Sequence, residues 1–343
     1  MTERVPLLEG RALSKRFVAK RSLSGKPLSE VHALTDVDVA LYPGETLGLV
    51  GESGCGKSTL GRVLLRLHEP TAGRLFHRGR EFTAAGRGEL RALRRHLQIV
   101  FQDPYGSLDP RMTVRALVAE PLRIHGLVTS KGEERDRVAA LLERVGLRPD
   151  AMDRHPHEFS GGQRQRVGIA RALALDPEVI VADEPISALD VSIQAQVLNL
   201  LRDLQEELGL SFLFIAHDLD AVEFLSHRVA VMYLGRIVEV LPRGALADRA
   251  RHPYTVALRR SAPVPDPTRP KTRLVLAGEV PSPLAPPTGC AFHPRCPVAL
   301  AGVCDREVPV LKDVDEGHRV ACHRIEPGAP PGAFTVDPSA ASR

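Results

Sequence analysis

The chain of 343 residues has no apolar run of about 18 residues, the length a helix needs to cross a bilayer, so no transmembrane segment is expected. Residues Met1 to Gly10 include Glu3, Arg4, Pro6 and Glu9 and lack the apolar core of a secretory signal. The expectation is a cytoplasmic chain that reaches a membrane only through a partner. An excess of charge is also missing: 46 basic and 42 acidic residues leave a formal net charge of +4. Arginine is scattered rather than concentrated on one face, which argues against a dedicated nucleic-acid binder. Only five cysteines occur, and in a reducing compartment that number excludes a structural disulfide framework. No internal repeat is found. What remains is an ordinary globular composition, 26% charged and 43% hydrophobic, long enough for one large domain and a smaller one.

From about Leu8 to Ala262 apolar runs alternate with helical patterns, which predicts an α/β domain built on a largely parallel sheet. Strand-like runs lie at Leu97 to Phe101, Val179 to Ala182, Ser211 to Ala216 and Arg228 to Met232. In Ile193 to Leu208 the residues Val197, Leu198, Leu201, Leu204 and Leu208 recur at helical spacing, with Arg202, Asp203, Glu206 and Glu207 between them. Helix-like segments such as Glu133 to Val145 dominate residues 103–171, which read as a helical subdomain inserted into the domain at 8–262. Pro263, Pro265 and Pro267, then Pro281, Pro283, Pro286 and Pro287, break that pattern. A small, separately built, Cys-rich C-terminal module is expected over 263–326, followed by a disordered tail at 327–343 rich in Pro, Gly, Ala and Ser.

The apolar run Thr46 to Val50 leads into Gly51-Glu52-Ser53-Gly54-Cys55-Gly56-Lys57-Ser58-Thr59, which fits the phosphate-binding loop pattern Gly-x-x-x-x-Gly-Lys-Ser/Thr. Glycines let successive N–H groups turn toward a β-phosphate, Lys57 adds charge at the β/γ oxygens, and the Ser58 hydroxyl can ligate Mg²⁺. Gly51, Ser53, Gly54, Cys55, Gly56, Lys57, Ser58 and Thr59 are therefore candidate nucleotide contacts, Cys55 reading more as packing than as chemistry. The apolar strand Val179 to Glu184 ends in the carboxylates Asp183 and Glu184, at the sheet edge where open α/β proteins bind ligands. Asp183 is a candidate Mg²⁺ ligand and Glu184 a candidate for polarising attacking water, although a strand ending in Asp-Glu also occurs for structural reasons. Ser160, an N-cap residue, precedes Gly161, Gly162 and Gln163 at the start of a helix, which makes either a second anion site or simply a capped helix.

The spacing of Ser160-Gly161-Gly162-Gln163 resembles the signature motif of the ABC ATPase family. Gln102 in Gln98 to Pro104 resembles its Q-loop, Ser187-Ala188-Leu189-Asp190 its D-loop, and His217 its switch histidine. The resemblance implies an ABC-type P-loop ATPase in which the phosphate loop of one subunit and the signature helix of another close on one ATP. It implies that Glu184, His217 and Gln102 serve catalysis, that Ser58, Gln102 and Asp183 hold Mg²⁺, and that Ser160 and Gly162 reach the partner's γ-phosphate. Phe17 is a candidate adenine-stacking residue, set farther from the loop than usual because Ala19 to Val31 reads as an insert.

Cys290, Cys296, Cys304 and Cys322 are separated by five, seven and seventeen residues. Four thiolates fit tetrahedral zinc or an iron–sulfur cluster, while the lack of a tight Cys-x-x-Cys pair disfavours common zinc ribbons. His293, His318 and His323 leave mixed zinc ligation open, and four unrelated thiols are the plain alternative. With Val231 to Glu239, His252 to Thr255 and Gly278 to Pro283, this tail resembles the oligopeptide/dipeptide and nickel importer branch of the ABC family, and Glu184 to Gln196 looks like its F-type subunit. That resemblance, from about Leu13 to His323, implies a [4Fe–4S] cluster on the four cysteines, with Zn²⁺ as the alternative. It also implies ATP-driven import of peptides, a second non-identical ABC ATPase subunit, two membrane permeases and an extracytoplasmic solute-binding protein. The chain would sit peripherally on the cytoplasmic face of the membrane. Competing expectations are the same motor working on nickel or another small solute, and a soluble non-transport ABC ATPase acting on DNA or ribosomes.

Overall fold

A computed structural model describes residues 5–22, 27–261, 278–326 and Gly328. The proline cluster at 263–267 and, Gly328 apart, the tail at 327–343 lie outside the described residues. The chain divides into two compact units: one takes the chain up to Leu8 with Leu41–Thr46 and His77–Ala216, the other Glu9–Ala40, Leu47–Phe76 and the chain from His217 on.

The first unit is centred on three parallel strands. Leu97–Val100 pairs with Val179–Asp183, Leu97 opposite Val179 and Val100 opposite Ala182. Val179–Asp183 pairs in turn with Ser211–Ile215, which sets Asp183 opposite Ile215. The latter two strands are buried along their whole length, which explains why they are continuous apolar runs rather than alternating ones. The remainder is largely helical, with helices Val114–Ile124, Lys131–Arg144, Gly161–Leu173 and Val191–Leu208. Each of the first two is started by a hydroxyl: Thr113 Oγ1 accepts from the Ala116 N–H at 3.3 Å, and Ser130 Oγ from the Glu133 N–H at 3.1 Å. Arg123 joins them by donating to both carboxylate oxygens of Glu134, each at 2.6 Å. These helices belong to the same unit as the parallel strands. In Val191–Leu208 the buried positions are Val197, Leu201 and Leu204, whereas Leu208 is exposed beside Gly209, which ends the helix in the left-handed conformation.

The second unit holds the strand that leads into the phosphate loop. Leu47 to Val50 pair in parallel with Arg228 to Val231. Arg228–Tyr233 turns through Leu234 and Gly235 into Arg236–Pro242, its antiparallel neighbour. Leu8–Arg21 is the sheet neighbour of both Pro27–Leu41 and Ala72–His77, so the described part of the segment 19–31 forms the ends of two long strands. The sheets are thus mixed, with more antiparallel pairing than the alternation of runs and helices predicts.

The C-terminal residues 278–326 fall in this same unit. His318–Val320 pairs antiparallel with Arg236–Pro242, and Lys312–Asp315 pairs with His318–Val320. The joint is held by buried polar contacts: His318 Nε2 and the Glu239 carboxylate lie 2.8 Å apart with both side chains fully buried. The Glu239 carboxylate also accepts the N–H of Arg251 at 2.7 Å and of His252 at 3.1 Å, and the Arg251 guanidinium pairs with Asp315. Such a cluster is stable only while every member keeps its partners.

His252 gives this region a pH dependence. Its Nδ1 accepts the Tyr254 N–H at 3.1 Å, so the ring is neutral in the fold. Burial drives its pKa from the ordinary 6.5 down to about 4, with the Glu239 charge pulling the other way. A depressed folded-state value means that the contribution of His252 is intact above pH 6.5 and is lost as pH falls toward 4. Thermal melts of wild type and His252→Gln between pH 7 and 4.5 are expected to show the steeper acid loss in the wild type; parallel curves would remove His252 as a source of it.

Candidate nucleotide site

The strand Thr46–Val50 is fully buried and delivers the chain into the loop at Gly51, and the helix Lys57–Leu64 begins at the loop's far end. Gly51 has φ 153°, and a Cβ there would meet the Met232 carbonyl oxygen at 2.2 Å, so only glycine lets the loop leave the sheet this closely. Gly56, also left-handed, starts the helix without a side-chain cap. The Gly235 N–H donates to the Cys55 carbonyl at 2.8 Å. Lys57 is only 5% exposed, and its Nζ donates to the carbonyls of Gly51 at 2.8 Å and Glu52 at 3.0 Å. The ammonium is thus held at the centre of a ring of backbone, where an anion can take it over. Cys55 is buried, its thiol pushed up in pKa by burial, and it packs under Gly51, in keeping with a packing role. Ser53 and Gly54 are exposed at the loop tip, and Ser58 and Thr59 are half-buried in the first helical turn.

Phe17, in the same unit, stands half-buried on Leu8–Arg21. Its ring meets His68 edge-on at 5.5 Å and carries the Lys15 ammonium 4.9 Å from its centroid.

In the other unit the carboxylates are placed as the strand pattern implies. Asp183 is buried at the strand end, and Glu184 follows in a left-handed conformation at φ 47°, unusual for a side-chain-bearing residue and frequent at functional sites. The Glu184 N–H donates to the Ile215 carbonyl at 2.9 Å, and the Ser187 hydroxyl donates to the Glu184 carbonyl at 3.0 Å. Gln102, just past Leu97–Val100, donates from Nε2 to the Glu184 carboxylate at 2.9 Å, so these two candidates stand side by side. Ser160 opens the helix Gly161–Leu173 with a reciprocal cap: its hydroxyl accepts the Gln163 N–H at 3.3 Å and Gln163 Oε1 accepts the Ser160 N–H at 3.0 Å. Gly162 is buried where a Cβ would lie 2.3 Å from Ile193 Cγ2, so this glycine has a packing reason alongside any contact its N–H makes. Ser160 and Gln163 remain exposed. His217, which belongs to the second unit, is exposed immediately before the helix Leu219–Leu225 that Asp218 caps by accepting the N–H of Asp220 at 2.9 Å.

The four C-terminal cysteines do not form the centre that the resemblance implies. Among the described residues no group of three or more His, Cys, Asp or Glu is arranged to hold a metal ion, which overturns the expectation of a [4Fe–4S] cluster on Cys290, Cys296, Cys304 and Cys322 and leaves its zinc alternative without a ligand set. Burial raises the Cys290 and Cys322 thiols and pushes Cys296 up to about 12. Cys304 Sγ accepts the Leu300 N–H at 3.4 Å, and the Cys290 N–H donates to the Cys304 carbonyl at 2.8 Å, so these residues serve a folded turn.

Sequence reasoning missed the groups that hold the loop from outside it. The Glu52 N–H donates to the Tyr254 hydroxyl at 2.8 Å, and the Arg295 guanidinium reaches the Glu52 carboxylate at 2.9 Å. No local pattern announces either contact, since the partners stand 202 and 243 residues apart in the chain.

A buried lysine over a glycine-built loop at a strand-to-helix junction, with a carboxylate pair ending a buried parallel strand, defines a P-loop nucleotide-hydrolysing protein. Residues 34–187 match the family described as ABC transporter, and residues 238–304 match the oligopeptide/dipeptide transporter C-terminal region. The probable peptide ABC transporter ATP-binding protein y4tS of Sinorhizobium fredii is 51% identical over 334 residues, covering 97% of this chain and 93% of its own length. The oligopeptide transport ATP-binding protein AppF of Bacillus subtilis is 50% identical over 323 residues, covering 92% and 97%. Among solved structures, the dimeric ATP-binding cassette MJ0796 in a post-hydrolysis state with ADP and Pi aligns at a TM-score of 0.61 and 29% identity, over 68% of this chain and 98% of its own. The chain belongs to the ABC transporter ATP-binding family, in its oligopeptide/dipeptide branch, and is an ABC ATPase. No helix among the described residues is long and apolar enough to cross a membrane.

Proposed function

We propose that this chain hydrolyses ATP to power the import of oligopeptides or dipeptides through a membrane transporter. The observation that carries the cargo class is the match of residues 238–304 to the peptide-transporter C-terminal region, joined to relatives named for peptide transport at 50–51% identity over more than nine-tenths of the chain. Residues 8–262 act as the ATPase domain, with 103–171 as its helical subdomain, and 263–326 as the transporter-specific module.

In this reading Lys57, Ser58 and the N–H groups of the loop Gly51 to Thr59 receive the phosphates, and Phe17 stacks on the adenine. Glu184 orients the attacking water, held in place by Gln102, and His217 acts at the γ-phosphate. The Ser58 hydroxyl, the Gln102 amide and the Asp183 carboxylate are hard oxygen donors of the kind Mg²⁺ takes; when bound, the ion neutralises charge on the phosphates. Ser160, Gly161, Gly162 and Gln163 serve the nucleotide of a second subunit.

The assembly is a second, non-identical ATPase subunit, two permeases and an extracytoplasmic solute-binding protein, with this chain in the F-type position at the cytoplasmic membrane face and no nucleic acid as partner. A strain lacking the chain is expected to lose uptake of labelled di- and tripeptides to background and to regain it with wild type but not with Lys57→Ala. Unchanged peptide uptake with loss of labelled nickel would move the cargo to the metal, and co-purification with nucleic acid instead of permeases would refute the transport reading.

A further inference from the structure

Glu52, the second residue of the phosphate loop, is anchored by two groups from distant parts of its unit and by Lys57 of the loop itself. Its N–H donates to the buried Tyr254 hydroxyl at 2.8 Å, its carbonyl accepts Lys57 Nζ at 3.0 Å, and its carboxylate accepts Arg295 NH1 at 2.9 and 3.2 Å. The same NH1 lies 3.4 Å from the Tyr233 hydroxyl. The Arg295 side chain is only 8% exposed although Glu52 is 26% exposed, so the guanidinium approaches the loop from the protein side. Arg295 ends the short turn His293–Arg295, and the preceding Phe292 is fully buried against Tyr233 at 5.2 Å and Tyr254 at 5.5 Å between ring centroids. That aromatic contact fixes where the arginine is presented.

A carboxylate within the loop that cradles a polyphosphate is electrostatically unfavourable, because like charges a few ångströms apart repel most where burial limits screening. Arg295 cancels the Glu52 charge and fixes the peptide whose carbonyl holds Lys57. We propose that Arg295 is a positioning residue for the phosphate loop, through which the C-terminal segment sets the loop's affinity for ATP. This rests on the reading of Gly51 to Thr59 as the ATP phosphate site.

The test measures the dissociation constant of ATP for the full-length chain, and KM and kcat for the assembled transporter. Arg295→Met is expected to weaken ATP binding about tenfold, the size of one lost charge-assisted contact, with the loss carried in KM rather than kcat. Adding Glu52→Gln to Arg295→Met is expected to recover most of that affinity, because the repelling charge is gone; a purely structural arginine would show no such relief. Arg295→Lys, which keeps the charge, is expected to bind ATP within about threefold of wild type and covers the case in which Arg295→Met does not fold. ATP affinity unchanged in Arg295→Met, or a loss that Glu52→Gln leaves in place, would overturn the proposal. Lys57→Ala separates the two levels: if it too binds ATP normally, the phosphate-loop reading itself is wrong, whereas weakened binding there with normal binding in Arg295→Met rejects only the role of Arg295.

Discussion

Glu184→Gln is expected to lower ATP turnover by roughly 10²–10⁴-fold, the scale of a lost general base, while ATP still binds. The substitution keeps shape and hydrogen-bonding length, so the backbone at φ 47° and the N–H bond to Ile215 are not disturbed. The change falls on charge alone. Gln102 Nε2, now 2.9 Å from the Glu184 carboxylate, meets the amide oxygen of the new side chain at the same place, and the neighbouring buried Asp183 is untouched. Single-turnover hydrolysis in the assembled transporter, read beside ATP affinity, checks the prediction. Near-normal hydrolysis would remove Glu184 from the role of base and move attention to His217.

Lys57→Ala acts one step earlier, on binding. The Nζ is the buried positive charge at the centre of the loop, already donating to the carbonyls of Gly51 and Glu52. A phosphate that replaces those carbonyls gains a charge-assisted bond, and removing it is expected to weaken ATP affinity by about ten- to a hundredfold. ATP-induced stabilisation against heat should shrink in step, since a ligand stabilises the fold according to its affinity. An unchanged ATP dissociation constant would contradict contact between this loop and the phosphates. The two variants are distinguishable in one experiment: one retains nucleotide without turnover, the other fails to retain it.

The parts of this architecture that depend on neighbours in the chain were legible in the sequence. A buried parallel strand must be an apolar run, so Val179–Asp183 and Ser211–Ile215 were visible, and the glycine spacing before Lys57 marked the loop because few other backbones satisfy it. The two long strands Leu8–Arg21 and Pro27–Leu41 were not, because their ends at 19–31 carry the polar composition of an insert. Contacts across great sequence separation were invisible for a different reason. Glu239 with His318 and Glu52 with Arg295 are ordinary polar and charged residues until the fold brings them together and removes water. The cysteines failed in the opposite direction: their spacing fits a metal centre, but spacing does not set the side chains in ligand geometry, and among the described residues no group of three or more His, Cys, Asp or Glu is arranged for one.

The two C-terminal strands also bear on solubility. Arg236–Pro242 reads Arg-Ile-Val-Glu-Val-Leu-Pro, and without His318–Val320 beside it this β-rich segment would offer a row of unpaired N–H and C=O groups to any passing chain. With them in place the outermost strand becomes Lys312–Asp315, four residues of which three are charged, which is a poor template for further pairing. The end of the chain therefore works as a gatekeeper against aggregation: shortened before His318, it would leave a naked adhesive edge, with the carboxylate of Glu239 behind it deprived of its His318 partner.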